Sequence, residues 1–252
     1  MDMSMKMGRE MTMNGQAMPK TELPTMTFTV TMKVEKIDES GDATCVLEFT
    51  DAAIADEEGV IPAVRDGMQD AAAKVKGMGA EVVISDRGIT RSSKTRGDAK
   101  DPQVAQLMES MNQSMQQMSC PFPKEAVGVG AKWQVVTTPN LGGFTQTLTA
   151  TYTLTSLTED GAKFDAVMEQ SAKEQDVNNP ALPEGASARI KSLTGSGKGS
   201  TEFKFSRTTP VASTASSKAT IDMTIKFGGE DSTMKQVVTT DVKIQKAADV
   251  KK

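Results

Sequence analysis

Met1, Met3, Met5 and Met7 stand at every second position of the opening stretch MDMSMKM. Thioethers are soft ligands suited to Cu(I), so four of them on one face could bind a soft metal. The same alternation is the pattern of a strand with a buried face, with Asp2, Ser4 and Lys6 opposite. Methionine is a common filler of irregular cores, and packing therefore competes directly with the metal reading. The chain has 18 Met and 0 His. Without histidine the usual general base is missing, and Ser-His or Cys-His activation of a nucleophile is excluded.

Carboxylates remain as acid/base candidates, but the densest group, Asp56-Glu57-Glu58, lies in a polar stretch and reads as a solvated turn. Gly195-Ser196-Gly197-Lys198-Gly199-Ser200 imitates a phosphate loop. That motif requires G-x-x-x-x-G-K-[ST], and here Ser192 and Gly199 occupy its first and last positions. The stretch reads instead as a flexible linker or strand edge. Cys45 and Cys120 form no C-x-x-C pair, so a zinc site is not suggested. Cys45 falls on the apolar face of a strand, where a buried free thiol is ordinary; pairing with Cys120 in an oxidising compartment is the alternative. The expectation is a protein that is not an enzyme and uses no cofactor.

These residues need elements to position them. From Thr25 to Phe49, Met26, Phe28, Val30, Met32 and Val34 alternate with threonines and charges, and Asp38 to Asp42 supply turn chemistry. Ala43, Cys45, Leu47 and Phe49 resume the alternation on a return strand. Gly8 and Arg9 read as the start of a long polar connection. Pro62 opens a predicted helix to about Met78, with Val64, Met68, Ala71, Ala72 and Val75 as its stripe and Gly77 and Gly79 as its stop. Short strands follow at Glu81–Ser85 and Ile89–Ser93. Asp101-Pro102 caps a second predicted helix to about Met118, striped by Val104, Leu107, Met108, Met111, Met115 and Met118. Strands then recur from Ala131 to Ile244, among them the threonine-rich run Phe144–Leu157.

Two internal echoes accompany this pattern. Thr25, Thr27, Thr29 and Thr31 match Thr145, Thr147, Thr149 and Thr151, and Met1–Glu10 resembles Ile221–Glu230. An internal duplication and the generic patterning of half-buried strands both account for them. The predicted class is α+β: one large, curved, half-barrel-like antiparallel sheet of about eleven strands, with two amphipathic helices packed on it. Residues 1–125 form a first half and 126–246 a second half of one continuous domain, and 247–252 are a charged tail.

Composition narrows the partners. Aromatic residues are 4% of the 252, and the net charge of −4 arises from interspersed acids and bases, so no basic field attracts nucleic acid. No apolar run reaches transmembrane length, and the first residues lack the basic-then-apolar pattern of a signal peptide. Met1–Met7 already reads as mid-strand, and a preceding segment is expected.

At Phe122–Trp133 (FPKEAVGVGAKW), with IDESGDA at 37–43, SDRGIT at 85–90 and YTLTSLTEDGAKF at 152–164, the chain resembles an uncharacterised family of bacterial exported or lipoprotein domains. The resemblance implies an extracytoplasmic, cell-envelope location and transfers no catalytic residue. A curved antiparallel sheet with helices on its concave side is also similar, at the level of fold, to carriers that move lipoproteins or lipids across the bacterial envelope. The leading expectation is a non-catalytic domain that binds a lipid or acyl chain in a Met-lined concavity. Met26, Phe28, Val30, Met32, Leu148, Tyr152 and Leu154 are its candidate lining residues, with ordinary core as the competing reading. The alternatives are a structural or interaction domain with a filled core, and a Cu(I) binder built on Met1, Met3, Met5 and Met7.

Overall fold

The computed structural model describes residues 1–57, 60–97, 121–141, 143–178, 186–206, 210–227 and 230–246. The strands are β1 (Asp2–Met13), β2 (Gln16–Ala17), β3 (Thr21–Ile37), β4 (Ala43–Ile54), β5 (Gly79–Ile84), β6 (Thr90–Arg96), β7 (Lys132–Thr137) and β8 (Asn140–Leu141). They continue with β9 (Phe144–Thr145), β10 (Thr147–Leu157), β11 (Gly161–Ala172), β12 (Gln175–Val177), β13 (Ser187–Lys204), β14 (Ala212–Phe227) and β15 (Glu230–Gln245). One helix, α1 (Pro62–Val75), lies among the described residues. The second predicted helix, 101–118, lies outside them, as does Cys120.

A 13-stranded antiparallel sheet contains nearly all of these strands. Its main path is β6-β5-β4-β3-β1-β15-β14-β13-β11-β10-β7, with β2 and β12 as short additions and β8–β9 as a separate hairpin. The predicted strand count is that of the main path. If the short strands β2, β8, β9 and β12 are passed over, each step along the path joins strands consecutive in sequence except at β1–β15, where Asp2 to Met13 pair with Gln245 to Met234. Residues from both halves therefore share one sheet. Every pairing on the path is antiparallel, so the edge strands β6 and β7 run in the same sense. They cannot complete the antiparallel ladder with each other, and the sheet is not closed.

Register explains the core. Phe28, Met3, Ile244, Ser213, Thr201, Phe164 and Leu154 form one cross-strand row. The next row on that face is Met26, Met5, Val242, Ala215, Gly199, Ala166, Tyr152 and Trp133. Large side chains thus occupy both ends of each row and small ones the middle. Two apolar clusters result. The first gathers Met3, Met5, Met26, Phe28, Val30, Cys45, Leu47 and Phe49 under Val75 of α1, and the second gathers Ala150, Tyr152, Leu154, Ala162 and Phe164. The helix follows its predicted stripe, burying Ala72 and Val75, and it ends before Gly77 at φ +82.

Two local expectations are corrected. Gly8 does not open a connection: β1 continues to Met13, and Asn14 and Gly15, both at positive φ, make the turn to β2. The glycine-rich stretch at 195–200 is no linker but the middle of β13, flanked by β11 and β14. Gly195, Gly197 and Gly199 share the inner face with Ala219, Ser217 and Ala215 opposite. A Cβ on Gly197 would lie 2.7 Å from the Ser216 carbonyl oxygen, so the close approach of β14 requires glycine there.

Candidate ligand cavity between the sheet edges

The two edges of the sheet face one cavity of about 1150 Å³. One wall comes from Ile89 to Ser93 on and before β6, the other from Trp133 to Pro139 on and after β7, with Leu148, Ala150 and Tyr152 of β10 beneath. Residues 121–125 form a strap that also lines the cavity. This strap is fixed by three hydrogen bonds. The Phe122 amide donates to the Arg87 carbonyl (2.8 Å), Arg87 Nε donates to the Phe122 carbonyl (2.9 Å), and Trp133 Nε1 donates to the Pro121 carbonyl (2.8 Å). Prolines on either side of Phe122 suit such a segment, because proline has no N–H to leave unpaired and a fixed φ.

An aromatic cluster sits at the strap. Trp133 stacks on Tyr152 at 5.7 Å and meets Phe164 edge-on at 5.4 Å; Phe122 meets Phe164 edge-on at 5.4 Å, and Phe203 lies 6.0 Å from Phe164. The chain has only 8 Phe, 1 Tyr and 1 Trp, so this concentration of five is a local feature and not a property of the whole core. Register brings Trp133, Tyr152 and Ala166 into one row, while Phe122 arrives through the strap. Edge-to-face and offset-stacked pairs add about 0.5–1.5 kcal/mol each beyond the burial of their area.

Among the described residues the charged lining gathers at one end. Arg87, Arg91, Lys124 and Glu125 line the cavity near the β5–β6 turn and the strap, whereas the lining from Gln134 to Pro139 is uncharged. Arg91 Nε lies 3.4 Å from Asp42 Oδ2, an ion pair that fixes it and offsets part of its charge.

The predicted lining residues divide. Leu148 and Tyr152 line the cavity. Leu154 is buried in the cluster beneath it. Met26, Phe28 and Val30 are buried in the opposite cluster with Met32 packed against it, six strands away along the sheet. Among the described residues the lining contains no methionine; it is aromatic and aliphatic on the strap, β7 and β10 and mainly polar along β6, where Thr90, Arg91, Ser92 and Ser93 stand. Phe122, Trp133 and Val135 are not among the predicted lining residues, although the only tryptophan, following a proline–aromatic junction, marks the place.

Met1, Met3, Met5 and Met7 are strung along one strand face. Met3 and Met5 are buried between Phe28 and Met26 of β3 and Ile244 and Val242 of β15. Same-face neighbours on a strand stand about 7 Å apart, so the four sulfurs cannot surround one ion, and packing explains their alternation. Among the described residues no group of three or more His, Cys, Asp or Glu is arranged to hold a metal. Cys45 is a fully buried free thiol whose pKa is raised by desolvation, and it stands on the packing side of its two readings. The acidic loop is not merely solvated. Glu57 Oε1 accepts from Thr25 Oγ1 at 2.5 Å and Oε2 pairs with Lys6 Nζ at 3.0 Å, while Asp56 pairs with Arg65 at 2.7 Å. These bonds hold its Glu57 carboxyl below the usual range, the Thr25 hydroxyl contributing most. Asp56 and Glu57 thus tether β1, β3 and α1, while Glu58 lies outside the described residues.

A second, shallower cavity of about 690 Å³ lies where β1, β15, β14, β13 and β11 present Lys6, Asp241, Ser216, Lys198 and Val167 in one row. Its charges alternate in sign across the strands and mark no single ligand class. No helix among the described residues is long and apolar enough to cross a membrane.

Residues 108–209 match the model of a family of unknown function, DUF6263. The matched span contains the strap and all five residues of the aromatic cluster. No curated protein matches the chain.

Proposed function

We propose that the protein is a non-catalytic binding domain that takes an apolar ligand, a lipid or acyl chain, in the cavity between the edges of its sheet. The observation that supports this reading is the cavity itself, at the seam that antiparallel pairing leaves open. Ligand sites are concave, predominantly apolar, and carry a few convergent polar groups. Phe122, Trp133, Val135, Leu148, Ala150 and Tyr152 supply the apolar wall; Arg87, Arg91, Lys124 and Glu125 supply the charged groups, and the β6 hydroxyls of Thr90, Ser92 and Ser93 add a polar side. The volume is at or above the top of the range common for small-molecule sites, about 300–1,000 Å³, as a chain-bearing ligand requires. Location in the bacterial envelope belongs to the same proposal and is supported by the resemblance carried by Phe122–Trp133.

Native mass spectrometry of protein purified without detergent, followed by organic extraction, tests it. A discrete bound mass that disappears on extraction is expected. A clean unliganded mass that takes up no added fatty acid or phospholipid would leave a structural or interaction domain as the better account.

A further inference from the structure

Among the described residues the cavity lining is charged at one end only, and that polarity, taken together with the proposed binding function on which it rests, narrows the ligand. We infer that the ligand is an amphiphile with a single anionic head and one apolar chain. The head lies at the strap beside Arg87, Arg91 and Lys124, and the chain runs along the seam beneath β7.

Strand direction sets this polarity. Because β6 and β7 run in the same sense, their first residues lie at the same end of the cavity, together with the β5–β6 turn and the strap. All four charged lining residues belong to that end, and three of the four are cations. This local excess of positive charge occurs in a chain whose net charge is −4. Arg87 is held in place by its own bond to the Phe122 carbonyl, and a guanidinium retains further N–H donors in a fixed fork after one is used. Beyond Trp133 the wall continues through Val135 to Thr137 and Pro139, with Leu148 and Ala150 below and no ionisable group among the described lining. Six residues of β7 span about 20 Å at the rise of a strand, which makes the site elongated, charged at one end and neutral at the other. Arg91 is already paired with Asp42 and Glu125 offsets a second cation, so a neutral lipid would leave one positive charge at the strap unmatched, and a compact anion would leave the apolar length empty.

The test is titration of the delipidated protein with palmitate, hexadecanol and hexadecyl phosphate, followed by the fluorescence of Trp133. Palmitate and hexadecyl phosphate are expected to bind about tenfold or more tightly than hexadecanol, since charge-assisted hydrogen bonds are roughly twice as strong as neutral ones. The palmitate advantage should shrink as salt is raised, because ions screen the head but not the chain. In the double variant Arg91→Gln, Lys124→Gln the affinity for palmitate should fall to near that of hexadecanol. Lys163→Gln, exposed on β11 and away from the cavity lining, should bind palmitate as the parent does. Tighter binding of hexadecyl phosphate than palmitate would mark the head as a phosphate, and the reverse order as a carboxylate. Equal binding of palmitate and hexadecanol at all salt concentrations would overturn the anionic head while leaving an apolar site intact. Failure of all three to bind would overturn the binding function itself.

Discussion

Phe122 and Trp133 show how much a single side chain depends on its context. Phe122 is one apolar residue among prolines and charges, and Trp133 stands in only a short alternation with Ala131 and Val135, so neither belongs to a long periodic run that would nominate it for a core. They become part of the cavity because the strap carries Phe122 to Phe164 and because β10 brings Tyr152 beneath the indole. Burial of the alternating methionines is legible in the sequence, since period two has only one apolar face to offer. The surface shows the same dependence on distant partners. Glu174 pairs with Lys191 at 2.8 Å and with Arg189 at 2.9 Å, and these bonds, that with Lys191 foremost, lower its carboxyl from the ordinary 4.5 to about 2. The folded carboxyl is the stronger acid, so the pairing contributes to stability above pH 4.5 and is lost as pH falls towards 2. Carbon-detected NMR titration should find the Glu174 carboxyl changing in that window, and added salt should move it back up because the pair is exposed. A midpoint near 4.5 at low salt would show that the pair does not form.

At the level of elements, hairpins and α1 follow from pattern and punctuation. The β3–β4 turn is an example: Asp38 Oδ1 accepts from the amides of Ser40 and Asp42, and Gly41 sits at φ +85, as an Asp/Ser/Gly turn would predict. The 195–200 segment is misleading because glycine signals both flexibility and close approach, and only the neighbouring strand distinguishes them. A pair of glycine substitutions separates these roles. Gly197→Val should destabilise by about 1–3 kcal/mol or more, since its side chain would press on the β14 backbone. Gly67→Ala, in α1 with nothing near its added Cβ, should stabilise by about 0.5–1 kcal/mol. Urea midpoints measure both. A neutral Gly197→Val would mean that β13 and β14 are not closely paired there.

The described residues form a meander whose first and last strands are joined side by side and whose strand order ends at β6 and β7. Hydrogen exchange should reflect that order. Amides of β1, β14 and β15, paired on both sides along most of their length, are expected to exchange slowest, and those of β6 and β7 fastest. Equal protection across all strands would contradict an open seam. The threonine-rich strands of the first echo, β3 and β10, each have their preceding long strand on one side and their following strand on the other. The second echo compares β1 with the far end of β14, which occupies a different register against β15, so the two echoes do not describe one equivalence.

Local periodicity by itself determined that this chain would form amphipathic antiparallel hairpins, a proline-opened helix with a defined stripe, and buried rows of methionine. Those properties depend on residues within a turn or two of each other. Which hairpins become neighbours, that β1 lies against β15, and that the sheet stops at β6 and β7 were decided only by the tertiary structure. The β1–β15 ladder joins residues more than two hundred positions apart, about which a period of two says nothing. The cavity follows from the same cause: alternation placed Leu148 and Tyr152 on an apolar face, and the open seam made that part of the face a cavity wall while the equivalent face at Met26 and Phe28 was filled.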